Sequence, residues 1–232
     1  MKKPVNLIYV TDVLCVWAYI AQIRLDELQQ KYGDKVQVEQ RFISVFGDTV
    51  DRIGKGWQER GGFEGFSDHV IEVSQSFPHV NINPEVWRNC RPQTSMTSHL
   101  FIKSVQLLGD RNEVSSEVHP HTGQSIVEDL IWRVRCAFFQ DALDIDNLSV
   151  LMELAEEMNL PVVKLEASIN DGSAMAALAA DMELKEDYRL EGSPSFILNE
   201  GRQKLFGNVG YRIIEANVAE LLEHEGNQAS WC

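Results

Sequence analysis

Only four cysteines occur among the 232 residues, and none forms a Cys-x-x-Cys pair. A small scaffold stapled by disulfides is therefore excluded. Basic residues are scarce: 21 Lys and Arg stand against 35 Asp and Glu, a net charge of −14. That balance argues against a general surface for nucleic acid or anionic lipid. No apolar run approaches the roughly 20 residues that span a bilayer. The start, Met1-Lys2-Lys3-Pro4 followed by Val5 to Val10, has too short an apolar stretch and no small-residue cleavage site for a signal peptide. The expectation is a cytosolic protein with mostly reduced thiols. Internal repeats and low-complexity tracts are missing as well. The glycines between 54 and 65 do not fit the GxxxxGK[ST] phosphate loop.

What is present is ordinary globular composition, 44% apolar and 24% charged, enough at this length for a proper core. Val5 to Val10 reads as a buried β-branched strand. Ala21, Leu25, Leu28 and Tyr32 form one helical stripe that Gly33-Asp34 stops. Val36 to Ile43 suggests a second strand, so the chain opens as βαβ, a parallel pair. After Gly47 a glycine-broken loop is expected, then helical segments near 66–77, 94–108, 125–141, 147–159 and 174–182, with breaks at 109–123 and Leu160-Pro161. Ser195 to Leu198, a turn at Asn199 to Arg202, and Gln203 to Phe206 read as a hairpin. A last helix carries Ile214, Val218, Leu221 and Leu222, with Gly226 ending it. The order βαβ, helices, ββα predicts an α/β thioredoxin-type fold with an inserted helical subdomain. Its segments are 1–47 and 188–225 for the two halves of the sheet unit, 48–187 for the insert and 226–232 for a tail.

Cys15 is the residue richest in chemistry. It sits between the first strand and the first helix, where unpaired backbone N–H groups and the helix dipole favour thiolate over thiol. The plain alternative is a buried, inert cysteine. Trp17 reads equally as a partly buried aromatic or as a contact beside that thiol. His69 and His99 fall on helices of the insert and could face the cleft, although lone helical histidines are more often structural. Cys90 and Cys136 have no ligand spacing. His119-Pro120-His121 lacks neighbouring cysteines for a structural zinc site, so no metal is expected.

Asp12-Val13-Leu14-Cys15-Val16-Trp17-Ala18-Tyr19 resembles the active-site start of DsbA-family thioredoxin-fold proteins, and Gly192-Ser193-Pro194-Ser195-Phe196-Ile197 resembles their cis-proline loop. Ser95 to His99, Ala137 to Asp146 and Leu151 to Leu160 resemble their insertion helices. The resemblance runs from Val5 to about Glu225. It implies that Cys15, Ser193 and Pro194 form the catalytic group, with Asp12, Trp17, Ser193, Pro194 and Ser195 binding substrate. The backbone at Ser193 would pair with an extended peptide or with glutathione. This chain departs from the family's Cys-x-x-Cys in having Ala18 at the second cysteine and Val16 where proline is common. Release of a mixed disulfide by a neighbouring thiol is then excluded. A monothiol route remains, with glutathione as a co-substrate rather than a tightly bound cofactor. Related kappa-class glutathione transferases and 2-hydroxychromene-2-carboxylate isomerases also lack the second cysteine but usually carry serine first. They imply a second reading, a glutathione-dependent transferase or isomerase. A third is a binding module that keeps only the groove. Cys232, at the end of the tail beside Trp231, is a candidate resolving thiol. Oligomerisation is left open.

Overall fold

The computed structural model describes residues 3–115, 124–224 and 230. Strand β1 (Val5–Thr11) leads into helix α1 (Val16–Tyr32) and returns as β2 (Val36–Phe42). A long excursion follows, carrying α2 (Gly62–Ser74), α3 (Met96–Asp110), α4 (Ile126–Phe139), α5 (Leu148–Glu157), α6 (Val162–Asn170) and α7 (Ser173–Asp187). The chain closes with β3 (Ser195–Leu198), β4 (Gln203–Phe206) and α8 (Tyr211–Glu223). The strands lie in the order β2-β1-β3-β4, with β1 and β2 parallel and the other neighbours antiparallel. This is a thioredoxin-like α/β sheet with a helical insert. Among the described residues no helix is long and apolar enough to cross a membrane.

Alternation in β1 sends Val5, Leu7 and Tyr9 to one face of the sheet, where Leu25 and Leu28 of α1 and Ile214, Val218 and Leu221 of α8 cover them. Val10 points to the other face with Ile43, Leu190 and Ile197, and Met182 and Leu184 of α7 pack there. The first turns of α1 serve a different core: Val16, Ala18, Tyr19 and Ile20 join Phe101, Ile102, Val105, Leu130, Val134 and Phe138 of the insert. Helix α1 is therefore held between the sheet and the insert.

The glycine-rich stretch departs from expectation, and one helix is added to those expected. The glycine-rich stretch is not an open loop: Val50–Lys55 forms a π-helical turn and Gln58–Arg60 a 3-10 turn. Its glycines allow close backbone approach; a Cβ on Gly65 would lie 1.7 Å from the Arg60 carbonyl oxygen. The break expected at Leu160-Pro161 is present, since α5 ends at Glu157; helix α6, which follows it, is additional to the helices expected, and Pro161 caps it, the start of a helix being where proline is tolerated. Helix α8 stops at Glu223, and Gly226 lies outside the described residues.

The insert is tied to the sheet by a buried charge. Asp181 of α7 is fully buried and takes the Phe42 N–H at 2.8 Å, the Arg41 guanidinium at 2.9 Å and the Lys103 ammonium of α3 at 2.5 Å. Burial pushes the Lys103 pKa down and Asp181 opposes that push. Replacing Asp181 by asparagine would leave the buried ammonium without its carboxylate. Asp181→Asn should therefore cost about 3–5 kcal/mol. The check is urea unfolding, with a lower midpoint at an unchanged slope.

Candidate active site

Between the end of β1 and the start of α1 lie Asp12, Val13, Leu14 and Cys15, all buried. Consecutive loop amides removed from water each need an acceptor. The Asp12 N–H donates to Ser193 Oγ at 2.9 Å and the Val13 N–H to His99 Nε2 at 3.2 Å. The Leu14 N–H donates to Asp12 Oδ1 at 2.9 Å and the Cys15 N–H to the Asp12 carbonyl at 3.1 Å. Asp12 Oδ2 meanwhile accepts the Phe46 N–H at 2.8 Å and the Ser95 hydroxyl at 2.7 Å. Its carboxylate thus holds the loop together.

Cys15 occupies the N-cap of α1, and its carbonyl accepts from the Ala18 and Tyr19 amides. The thiol is 5% exposed and donates to the Ser193 carbonyl oxygen at 3.3 Å. The Ser193–Pro194 bond is cis. The hairpin reaches this point because Pro194 O accepts the Gly207 N–H at 2.9 Å, fixing the segment to the end of β4. Trp17 is half-buried on the first turn of α1, edge-on to Phe77 at 6.2 Å. Ala18, where a second thiol would stand, is fully buried.

Cys15, Ser193 and Pro194 therefore come together, with Trp17 on the same helix turn. Two of the residues that the resemblance assigns to substrate have their side chains bonded within the protein. Asp12 spends its carboxylate on three protein donors, and Ser195 is buried with its hydroxyl donating to the Gly192 carbonyl at 2.7 Å. Both shape the loops around Cys15. The thiol also departs from expectation. Burial pushes the Cys15 pKa above the ordinary thiol value; Ser193 and the first-turn amides pull it down, while the Asp12 charge adds to the rise. Desolvation outweighs the helix terminus here.

His99 was a candidate cleft residue without a partner in the sequence. It is fully buried and supplies the acceptor for Val13. Its distance of 3.7 Å from Asp12 Oδ1 is not an ion pair, since burial holds the imidazole below its usual pKa and Nε2 is already an acceptor. The available signal was the four-residue spacing of Ser95 and His99, which puts both on one face of α3. His69 packs against Trp57 and Phe66 instead. Cys90 and Cys136 have their pKa values pushed up by burial to about 12 and about 11. Among the described residues no group of three His, Cys, Asp or Glu could hold a metal ion. His119, His121, Trp231 and Cys232 lie outside the described residues.

The sequence profile of the thioredoxin family matches residues 9–222. A protein of Nitrosomonas europaea assigned to the protein disulfide isomerases superposes with a TM-score of 0.73 at 14% identity, over 96% of this chain and 100% of its own. The cytosolic disulfide reductase DsbM of Pseudomonas aeruginosa, whose structure is also known with glutathione, gives 0.64 at 17% identity, over 92% and 98%. A 2-hydroxychromene-2-carboxylate isomerase gives 0.61 at 13% identity, over 94% and 96%. These likenesses are of fold. No curated protein matches the sequence.

Buried and beside a carboxylate, Cys15 should alkylate with a pH midpoint above the ~8.5 of a free thiol. The rate of iodoacetamide labelling against pH, with Cys15→Ser as the blank, measures it. A midpoint below that value would mean that the helix terminus prevails over burial.

Proposed function

Because the chain belongs to the thioredoxin family and takes the DsbA-like form of its fold, we propose that it is a thiol–disulfide oxidoreductase working through the single thiol Cys15, with glutathione or another external thiol as co-substrate. The observation that carries this reading is the 3.3 Å contact between the Cys15 sulfur and the Ser193 carbonyl, next to a cis proline and at a helix N-terminus. In the thiol state that carbonyl has a donor in Cys15 itself. When Cys15 is deprotonated it loses the donor and is free to accept an N–H from an extended ligand, so activation of the nucleophile and docking of substrate backbone are coupled.

In the forward direction the Cys15 thiolate attacks one sulfur of glutathione disulfide. The Cys15–glutathione bond forms, the original disulfide breaks, and glutathione thiolate leaves to take a proton from water. An external thiol then attacks the mixed disulfide and restores Cys15. Ala18 has no sulfur with which to short-circuit the second step. A glutathione-rich, reducing compartment such as the cytosol suits this external resolution. The same lack of a second thiol also suits a transferase or isomerase that binds reduced glutathione; in that case Cys15 would acquire no stable adduct.

Treatment with glutathione disulfide followed by intact-mass and peptide mapping should give one glutathionyl adduct on Cys15, removed by reduced glutathione and missing from Cys15→Ser. An unmodified Cys15 would sink the oxidoreductase reading. Ala18→Cys should replace the adduct by an intramolecular disulfide, because it restores the Cys-x-x-Cys spacing of the family's dithiol members.

A further inference from the structure

Val13 and Leu14 are the two residues before Cys15, and their amides are held by the two neighbouring side chains His99 and Asp12. Nε2 of His99 can accept the Val13 N–H only in the neutral ring, with the proton on Nδ1. That Nδ1 is buried and has no hydrogen-bond partner. A proton added to Nε2 turns it from acceptor to donor. It then faces the Val13 N–H, donor against donor, while Asp12 Oδ1, the atom already holding the Leu14 N–H, lies 3.7 Å away. One proton on His99 therefore unsettles both amides that precede the nucleophile.

We propose that His99 is a positioning residue of the thiol site: neutral, it fixes the Val13–Cys15 turn against the Ser193 carbonyl, and protonated, it releases that turn. The proposal rests on the reading of Cys15 as the reactive thiol. The charged groups facing His99 are Asp12 from the loop, Asp181 from α7, Arg135 from α4 and Lys103 of its own helix, and the Phe42 ring of β2 lies 5.1 Å away. The two acids favour the imidazolium, while the two bases oppose it together with burial. The release therefore falls on the acid side of the ordinary histidine range, and the site is intact at neutral pH.

The test is the rate of Cys15 reaction with 2,2′-dipyridyl disulfide, a probe that remains reactive in acid, measured from about pH 8 down to about pH 4 in wild type and His99→Gln. Ionisation of Cys15 and protonation of the probe shape both profiles alike and cancel in the ratio of the two rates. Below the His99 titration the wild-type rate should fall relative to that of His99→Gln, whose amide oxygen accepts at any pH, by about tenfold per pH unit. Parallel profiles overturn the proposal. Should the variant not fold, the wild type still decides: the ¹⁵N–¹H resonance of Val13 must move with the His99 ring titration. An amide that ignores the titration, or a ring neutral down to acid unfolding, overturns it. This amide readout needs no reaction at Cys15, so it stands or fails separately from the glutathionylation result.

Discussion

Four backbone amides at the end of β1 have been removed from water, and almost everything distinctive about the site follows from where their hydrogen bonds go. A loop of this kind normally stays at the surface because solvent satisfies it. Here Ser193, His99 and Asp12 do so instead. Those acceptors come from the hairpin segment, from α3 and from the loop itself. The position of Cys15 is thus set by parts of the chain that must all be in place at once. Asp12 is the hub, since its second oxygen also binds the Phe46 amide and Ser95.

The insert consequently does more than cover the sheet. Its helix α3 supplies His99 to the loop and Lys103 to Asp181, whose carboxylate closes the end of β2, and Ser95, the N-cap of that helix, also reaches the loop. Helix α1 packs on the sheet along one length and in the insert's core at its first turns. Nucleophile, sheet and insert therefore form one mechanical unit. Breaking the Asp181 cluster would loosen the same helix that positions the thiol loop.

Burial has an opposing effect on chemistry. It fixes the geometry of Cys15 but destabilises its thiolate, and the Asp12 charge that organises the loop adds to that cost. Low reactivity at rest is the expected consequence. On the function proposed above, a ligand that pairs with the Ser193 carbonyl as Cys15 ionises would offset it only where substrate is bound.

Much of this was legible in the residues. Periodicity placed β1, α1, β2 and α8, and the turn residues Asn199 to Arg202 between two short apolar runs placed the closing hairpin. Cys15 and the Ser193-Pro194 loop stood out because a thiol before a helix and a proline before a strand are local signals. What the residues could not carry were contacts between distant positions. Val13 and His99 are 86 residues apart and Asp12 and Ser193 are 181 apart, distances at which no local pattern reports pairing. For that reason Asp12 read as a substrate contact, His99 as a lone helical histidine and Cys15 as a thiol activated by its helix. Sequence determined which groups the chain possesses and on which elements they ride. Tertiary structure decided which of them are buried together, and burial sets both the proton affinity of the thiol and the one acceptor that Val13 finds.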